Sequence, residues 1–312
     1  MRRKIPLRLI SVCLILFLPF VTQAYGAESP GAEEPGIIDV HSHSAKGQNL
    51  EHVMGQTAAS GVRKIVLFAR RGGVDDEVLQ LHAAYPERVV PTVGFQNPRW
   101  LKQEPRFPDE VEAKLKSGRF RWMGELLLKH YGVPELQAPD YDIPPNTELF
   151  RRVLELSARY GVPVTIHHEA EPGNIEVFRQ ALSRSSQALV VWAHWCGRST
   201  PVTARKLLQE FPNLYCDLGA SDKTRRYGRE KNPLVTLGGA LQPEWKAVIE
   251  AFPDRFLAAI DAVDPGHYNR YQGWVAELKY ALAGLAPEIR RRLAIDNAER
   301  LLDRWKGKAG NR

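Results

Sequence analysis

The chain has 312 residues, with 43 Lys and Arg against 36 Asp and Glu, for a formal charge of +7 at pH 7. Four of the basic residues (Arg2, Arg3, Lys4 and Arg8) fall in the first 26 positions, which hold no acid, so the other 286 residues carry only +3. A surplus that small and unclustered excludes a nucleic-acid partner, while 44% hydrophobic and 25% charged residues exclude disorder.

The N-terminus reads as an address. The basic stretch Met1–Arg8 precedes thirteen uncharged, mostly apolar residues, Leu9–Val21, and small residues follow at Ala24, Gly26 and Ala27. That order is the order of a secretory signal peptide, and the apolar run is shorter than the ~20 residues a membrane span needs. Residues 1–26 are therefore expected to be a signal peptide and 27–36 a polar linker. Residues 37–312 are expected to form one folded domain, exported to the periplasm or secreted, with no membrane association after cleavage. With Cys13 removed, Cys196 and Cys216 are the remaining thiols. They are an even pair in a compartment that permits disulfides. They follow or end neighbouring predicted strands, so bonded and free states both stay open.

Short apolar runs then alternate with helical patterns. The predicted strands are Ile37–Val40, Lys64–Ala69, Val89–Phe95, Phe120–Leu128, Pro163–His167, Ala188–His194, Leu214–Leu218 and Phe256–Asp261. Helices are expected over Asp75–Tyr85, Asn146–Tyr160, Ile175–Ser183, Thr200–Glu210 and Glu244–Ala251. Gly61 and Gly161 stand where a left-handed C-cap ends a helix, and Pro86, Pro212 and Pro253 stand where proline stops one. Eight strand-like runs, largely uninterrupted by charge and separated by helices, predict a (β/α)8 TIM barrel, whose usual size of ~250 residues fits this body. A doubly wound open sheet is the rival, but no GxGxxG or GxxxxGK[ST] follows any strand. Longer insertions follow the fourth strand (129–145) and the seventh (220–243).

The chemistry lies in where histidines and carboxylates fall. His41 and His43 close the first strand two residues apart, so both rings face one side. Glu125 closes the fourth strand, His167 the fifth, His194 the sixth and Asp261 the eighth. In a closed barrel these six side chains meet at the C-terminal mouth, and they are ligand types that suit Zn2+ or a similar divalent ion. Burying Glu125 and Asp261 without a cation or hydrogen bonds would cost several kcal/mol each.

These motifs resemble the amidohydrolase superfamily, in particular its amidohydrolase-related (amidohydrolase-2) branch. The likeness rests on Ile38-Asp39-Val40-His41-Ser42-His43, Pro163–His167, Val190–His194, Arg255–Asp261 and the closing Ile295–Leu301. It implies a metal-dependent hydrolase acting on an amide, ester or lactone of a small molecule, with a decarboxylase of the same branch or a non-catalytic binding barrel as alternatives. In the mononuclear pattern His41, His43, His167 and Asp261 bind the metal and His194 orients water or substrate. Glu125, in Met-Gly-Glu-Leu, is similar to the bridging glutamate of the TatD-like branch. That pattern implies one ion on His41, His43, Glu125 and Asp261 and a second on Glu125, His167 and His194. Zn2+ is the expected cofactor, as one or two ions, with Mn2+ as the alternative. Such an ion lowers the pKa of water towards ~7, and Asp261 is expected to be the catalytic acid/base, with His194 beside it. The eighth strand reads Ala-Ala-Ile-Asp where the family more often has Gly-Ser-Asp or Gly-Thr-Asp.

Other residues receive plainer readings. His168 should point into the barrel wall, and His52 and His82 should lie on helices. Trp192 is expected in the core and Trp195 at a pocket wall. Lys129, expected in the first insertion, and His130 are candidates to line the pocket. Arg70, Arg71, Arg198, Arg225 and Arg226 are candidates to hold an anionic substrate. Arg290–Arg292 reads as a solvated helix face.

Overall fold

The computed structural model describes residues 36–70, 75–132, 139–221 and 232–307. The proposed signal peptide and all but the last residue of the linker lie outside them, as do Arg71, Arg225 and Arg226. The strands are β1 (Ile37–Ala45), β2 (Val62–Arg70), β3 (Val89–Gly94), β4 (Trp122–His130), β5 (Tyr141–Asp142), β6 (Val164–His168), β7 (Val190–Trp192), β8 (Leu214–Asp217) and β9 (Phe256–Leu257). All but β5 pair in parallel, in the order β1-β2-β3-β4-β6-β7-β8-β9. The ends of that row meet: Val40 N donates to Ala258 O (3.1 Å), Asp261 N to His41 O (2.5 Å) and His43 N to Ala262 O (2.8 Å). The result is a parallel eight-stranded barrel with helices between the strands, as predicted. β5 is an extra, antiparallel strand on β4, pairing Lys129 with Asp142 and His130 with Tyr141.

Local chemistry sets the element ends. Thr147 caps the helix Glu148–Tyr160 by accepting from Phe150 N, and Gly161 ends it at φ +63°. A Cβ at Gly161 would run into the Arg304 carbonyl, so only glycine fits this left-handed position. Phe150, Val153, Leu154 and Ser157 turn inward from that helix, the 3.6-residue stripe that covers a sheet. Strand interiors are buried on both faces, which explains their mostly apolar composition. Among the described residues no helix is long and apolar enough to cross a membrane.

Three expectations need correction. Lys129 belongs to β4, not to the loop after it, and its ammonium pairs with Asp142 at 2.8 Å. The sixth strand stops at Trp192, so His194 is not a strand residue. The eighth strand stops at Leu257, and Ala258–Asp261 continues beside β1 outside the regular ladder. In both places the chain leaves extended geometry, because His194 and Asp261 have φ near +59°.

Candidate metal centre

Two irregularities aim the first side chains. Between Asp39 and Ser42, β1 slips by one residue against β2, and between Met123 and Leu126, β4 slips by one against β6. Such bulges re-aim side chains at barrel rims, and here they contain His41 and Glu125. β1 is pinned by Asp39, a fully buried carboxylate. It accepts from His41 N (3.1 Å), Ile260 N (2.9 Å), Ser42 Oγ (2.6 Å) and Tyr271 Oη (2.7 Å). Burial pushes its pKa up to about 6 against those four donors.

The chain leaves β7 in a left-handed turn. His194, Trp195, Cys196, Gly197 and Arg198 all have φ between +40° and +65°. Four of the five carry a Cβ, at ~1–2 kcal/mol each, so this backbone costs roughly 4–8 kcal/mol unless its surroundings hold it. They do so in several ways. Cys196 is disulfide-bonded to Cys216 of β8, which settles the thiol question left by the sequence. His194 N donates to Asp217 Oδ1 (3.0 Å), Trp195 Nε1 to Asn232 O (3.0 Å) and Ala170 N to Gly197 O (2.9 Å). Trp195 is therefore a core residue like Trp192, not a pocket wall.

The six predicted side chains converge. His41 Nε2 lies 3.6 Å from Glu125 Oε1 and 3.8 Å from Asp261 Oδ1, and His43 Nε2 lies 3.5 Å from Glu125 Oε2 and 3.4 Å from Asp261 Oδ1. Both imidazole nitrogens are buried and have no hydrogen bond of ordinary length among the described residues. Polar atoms are seldom buried in that state. Ligands 2.0–2.2 Å from a tetrahedral ion lie about 3.3–3.5 Å from each other, which is close to the separations seen. On the other side of Glu125, His167 Nδ1 is 2.8 Å from Oε1 and His194 Nε2 is 3.0 Å from His167 Nδ1 and 3.6 Å from Glu125 Oε1. His41, His43 and Glu125 form one compact donor set and Glu125, His167 and His194 another, sharing the glutamate. The donor chemistry and spacing fit a divalent cation.

Charges around the site are strongly biased. Burial opposes ionisation of Glu125, but His41, His167 and His194 hold it well below the usual carboxylate range. Asp261 is likewise held low, against burial, by His43 and His41. His41 is raised, against burial, by Asp217 and Glu125. His167 sits between two carboxylates, with Nδ1 on Glu125 and Nε2 2.9 Å from Glu169 Oε1, and these outweigh burial to push it up to about 9. Burial holds His43 near 4.

Three contributors escaped the sequence reading. Asp217 Oδ2 accepts from His41 Nδ1 at 3.0 Å, while its Oδ1 takes His194 N and Gly219 N. Its signal was a lone acid at the end of an otherwise apolar strand. Glu169 accepts from His167 and pairs with Arg198. Gln96 donates to Glu125 Oε2. By contrast, Asp264 caps the helix Pro265–Tyr268 by accepting from His267 N. His168 is buried against Phe178, 4.8 Å between ring centres, as expected. His130 lies in the mouth, its ring edge-on to His167 at 4.7 Å. Arg70 ends β2 almost fully buried, and its charge helps lower His43.

The amidohydrolase family model (Amidohydro_2) matches residues 38–304. No curated protein matches the chain. Several solved structures share the architecture at low identity. A TatD homologue from Escherichia coli K12 aligns with a TM-score of 0.59 and 17% identity, over 86% of this chain and 98% of its own. A zinc-bound amidohydrolase from Burkholderia multivorans gives 0.56 and 15%, over 86% and 99%. A probable 2-pyrone-4,6-dicarboxylic acid hydrolase from Acinetobacter baumannii, with citric acid bound, gives 0.56 and 14%, over 86% and 99%.

Proposed function

The chain belongs to the amidohydrolase family, and from that membership we propose a hydrolase of small-molecule amides, esters or lactones with a two-position zinc site. The observation that carries this reading is the set of buried imidazole nitrogens facing two carboxylates at 3.4–3.8 Å. His41, His43, Glu125 and Asp261 would hold one ion, and Glu125, His167 and His194 the second. Bound there, Zn2+ supplies Lewis acidity that makes water a nucleophile near neutral pH and polarises a carbonyl.

The protein's own groups divide the remaining work. Asp217 keeps the His41 proton on Nδ1, so Nε2 presents its lone pair to the mouth. Glu169 does the same for Nε2 of His167, leaving Nδ1 for the site. Asp261, held low enough to stay ionised near neutral pH, takes the proton from the attacking water and passes it to the leaving group. Arg70 gives the mouth a cation suited to an acidic group on the substrate. Export to the periplasm or outside the cell is supported by the signal-like order of residues 1–26 and by the Cys196–Cys216 bond, a feature of oxidising compartments.

The test is metal-stripped protein reloaded with Zn2+ or Mn2+ and assayed on a panel of activated esters, lactones and amides. Cleavage that requires the metal supports hydrolysis. Carbon dioxide release from an unsaturated or aromatic acid, with no cleavage of the panel, would move the chain to decarboxylation. Metal uptake with neither activity would make it a binding barrel.

A further inference from the structure

Between β7 and the helix Pro201–Glu210, the left-handed turn carries site residues at both ends. At its start, His194 reaches His167 Nδ1 (3.0 Å) and Glu125 (3.6 Å). At its end, Arg198 pairs with Glu169, which holds Nε2 of His167. The polar contacts of His194 and Arg198 therefore fall on the side of the site formed by Glu125, His167 and His194. The middle of the turn, Cys196, is bonded to Cys216, and the next residue, Asp217, accepts from His194 N. Gly197 has no room for a side chain, because a Cβ would run into the His168 carbonyl and Trp192 Nε1. So the backbone here is held in a conformation that non-glycine residues leave when free. The one covalent tie runs from the centre of the turn to the strand whose last residue orients both His194 and His41.

We propose that the Cys196–Cys216 disulfide is a positioning device for the second metal position: bonded, it fixes the turn so that His194 and Arg198 complete that position. With the bond absent, the turn relaxes towards right-handed or extended geometry and the position loosens. The His41–His43 position is built on β1, whose shape is set by Asp39 and by pairing with β2 and the Ala258–Ala262 segment. Its links to the turn are Asp217, which holds His41 Nδ1, and the stacking of the His41 and His194 rings, so it depends on the turn less than the second position does. Formation of the bond releases two electrons and two protons to a thiol-disulfide oxidant, so completion of the second position is tied to an oxidising compartment. The inference rests on the zinc-site reading above and goes beyond it.

The experiment is Zn2+ titration against a competing chelator. It compares the oxidised wild type, the Cys196→Ala/Cys216→Ala double variant and His194→Ala, with far-UV circular dichroism and melting on each. The double variant should keep one zinc at wild-type affinity and bind the other, the ion that His194→Ala also loses, 10–100-fold less well, as loss of a residue that orients a ligand does. His194→Ala should lose the same ion. If the double variant does not fold, wild type isolated with both thiols free is titrated before and after treatment with oxidised glutathione. The second zinc should then tighten on oxidation. Equal affinity for both ions with and without the bond, in folded protein, would overturn the proposal, as would equal weakening of both. A wild type that binds no Zn2+, or a His194→Ala variant that keeps both ions, would instead remove the metal reading on which it stands.

Discussion

Replacing Asp217 with asparagine should weaken zinc binding without unfolding the barrel. The substitution keeps size and shape, and an asparagine carbonyl placed like Oδ1 still accepts from His194 N and Gly219 N. Only the third contact changes sign. Where Oδ2 now accepts the His41 Nδ1 proton at 3.0 Å, the amide would present N–H. His41 could satisfy it only by moving its own proton to Nε2, the nitrogen that faces Glu125 and Asp261. A protonated Nε2 has no lone pair for an ion, so every binding event must first return the ring to its disfavoured tautomer. Loss of such an orienting partner lowers metal affinity ~10–100-fold, or about 1.4–2.7 kcal/mol. Chelator competition on the purified variant reads the affinity, and circular dichroism confirms the fold. Wild-type zinc affinity in a folded Asp217→Asn protein would refute the tautomer argument.

Three further outcomes are expected. Asp261→Asn should lower turnover by ~10²–10⁴-fold with some metal retained, whereas Asp264→Asn, which alters a helix cap, should leave turnover within a few-fold; steady-state kinetics on the ester panel checks both. In metal-stripped protein, His167 has its pKa raised from 6.5 to about 9, so its contribution is complete below pH ~6.5 and lost as pH rises through 9. That is about 3 kcal/mol, and urea unfolding at pH 6.5 and 9.5 should show it in wild type and not in His167→Gln. Gly197→Ala should destabilise the fold by at least ~2 kcal/mol, through its positive φ and the clash with His168 O, seen as a lower urea midpoint.

The barrel was legible because each parallel strand is buried on both faces, and that burial writes itself as a short, mostly apolar run. The site was legible for a related reason. A charged or imidazole side chain at the end of such a run is conspicuous, and six of them at the ends of five strands were sufficient to mark the mouth. What stayed hidden was backbone geometry. No residue type announces the bulges at His41 and Glu125, since a one-residue slip changes pairing without changing composition. The left-handed turn was equally silent, as only Gly197 among its five residues hints at positive φ. Asp217 was missed because it lay inside the predicted strand Leu214–Leu218, although an isolated acid there is as conspicuous as Glu125.

Those hidden features share a cause. A regular strand sends alternate side chains to opposite faces, so it delivers at most every second residue to the mouth and fixes the angle at which it arrives. Bringing six donors within 4 Å of their neighbours from five strands needs angles that regular pairing does not supply. The chain obtains them by breaking regularity at the donors themselves: a slip at His41, another at Glu125, and positive φ at His194 and Asp261. Each break removes ladder hydrogen bonds or adds strain, and beside three of them stands a bond that replaces what was lost. Asp39 bridges β1 to Ile260, Asp217 bridges the His194 turn to His41, and the disulfide holds the turn's centre. Asp39 and Asp217 act in this geometry through hydrogen bonds to backbone amides, to Ser42 and Tyr271, and to His41. Their role is to make the irregular backbone the stable one, so that the imidazoles are already in place before any metal arrives.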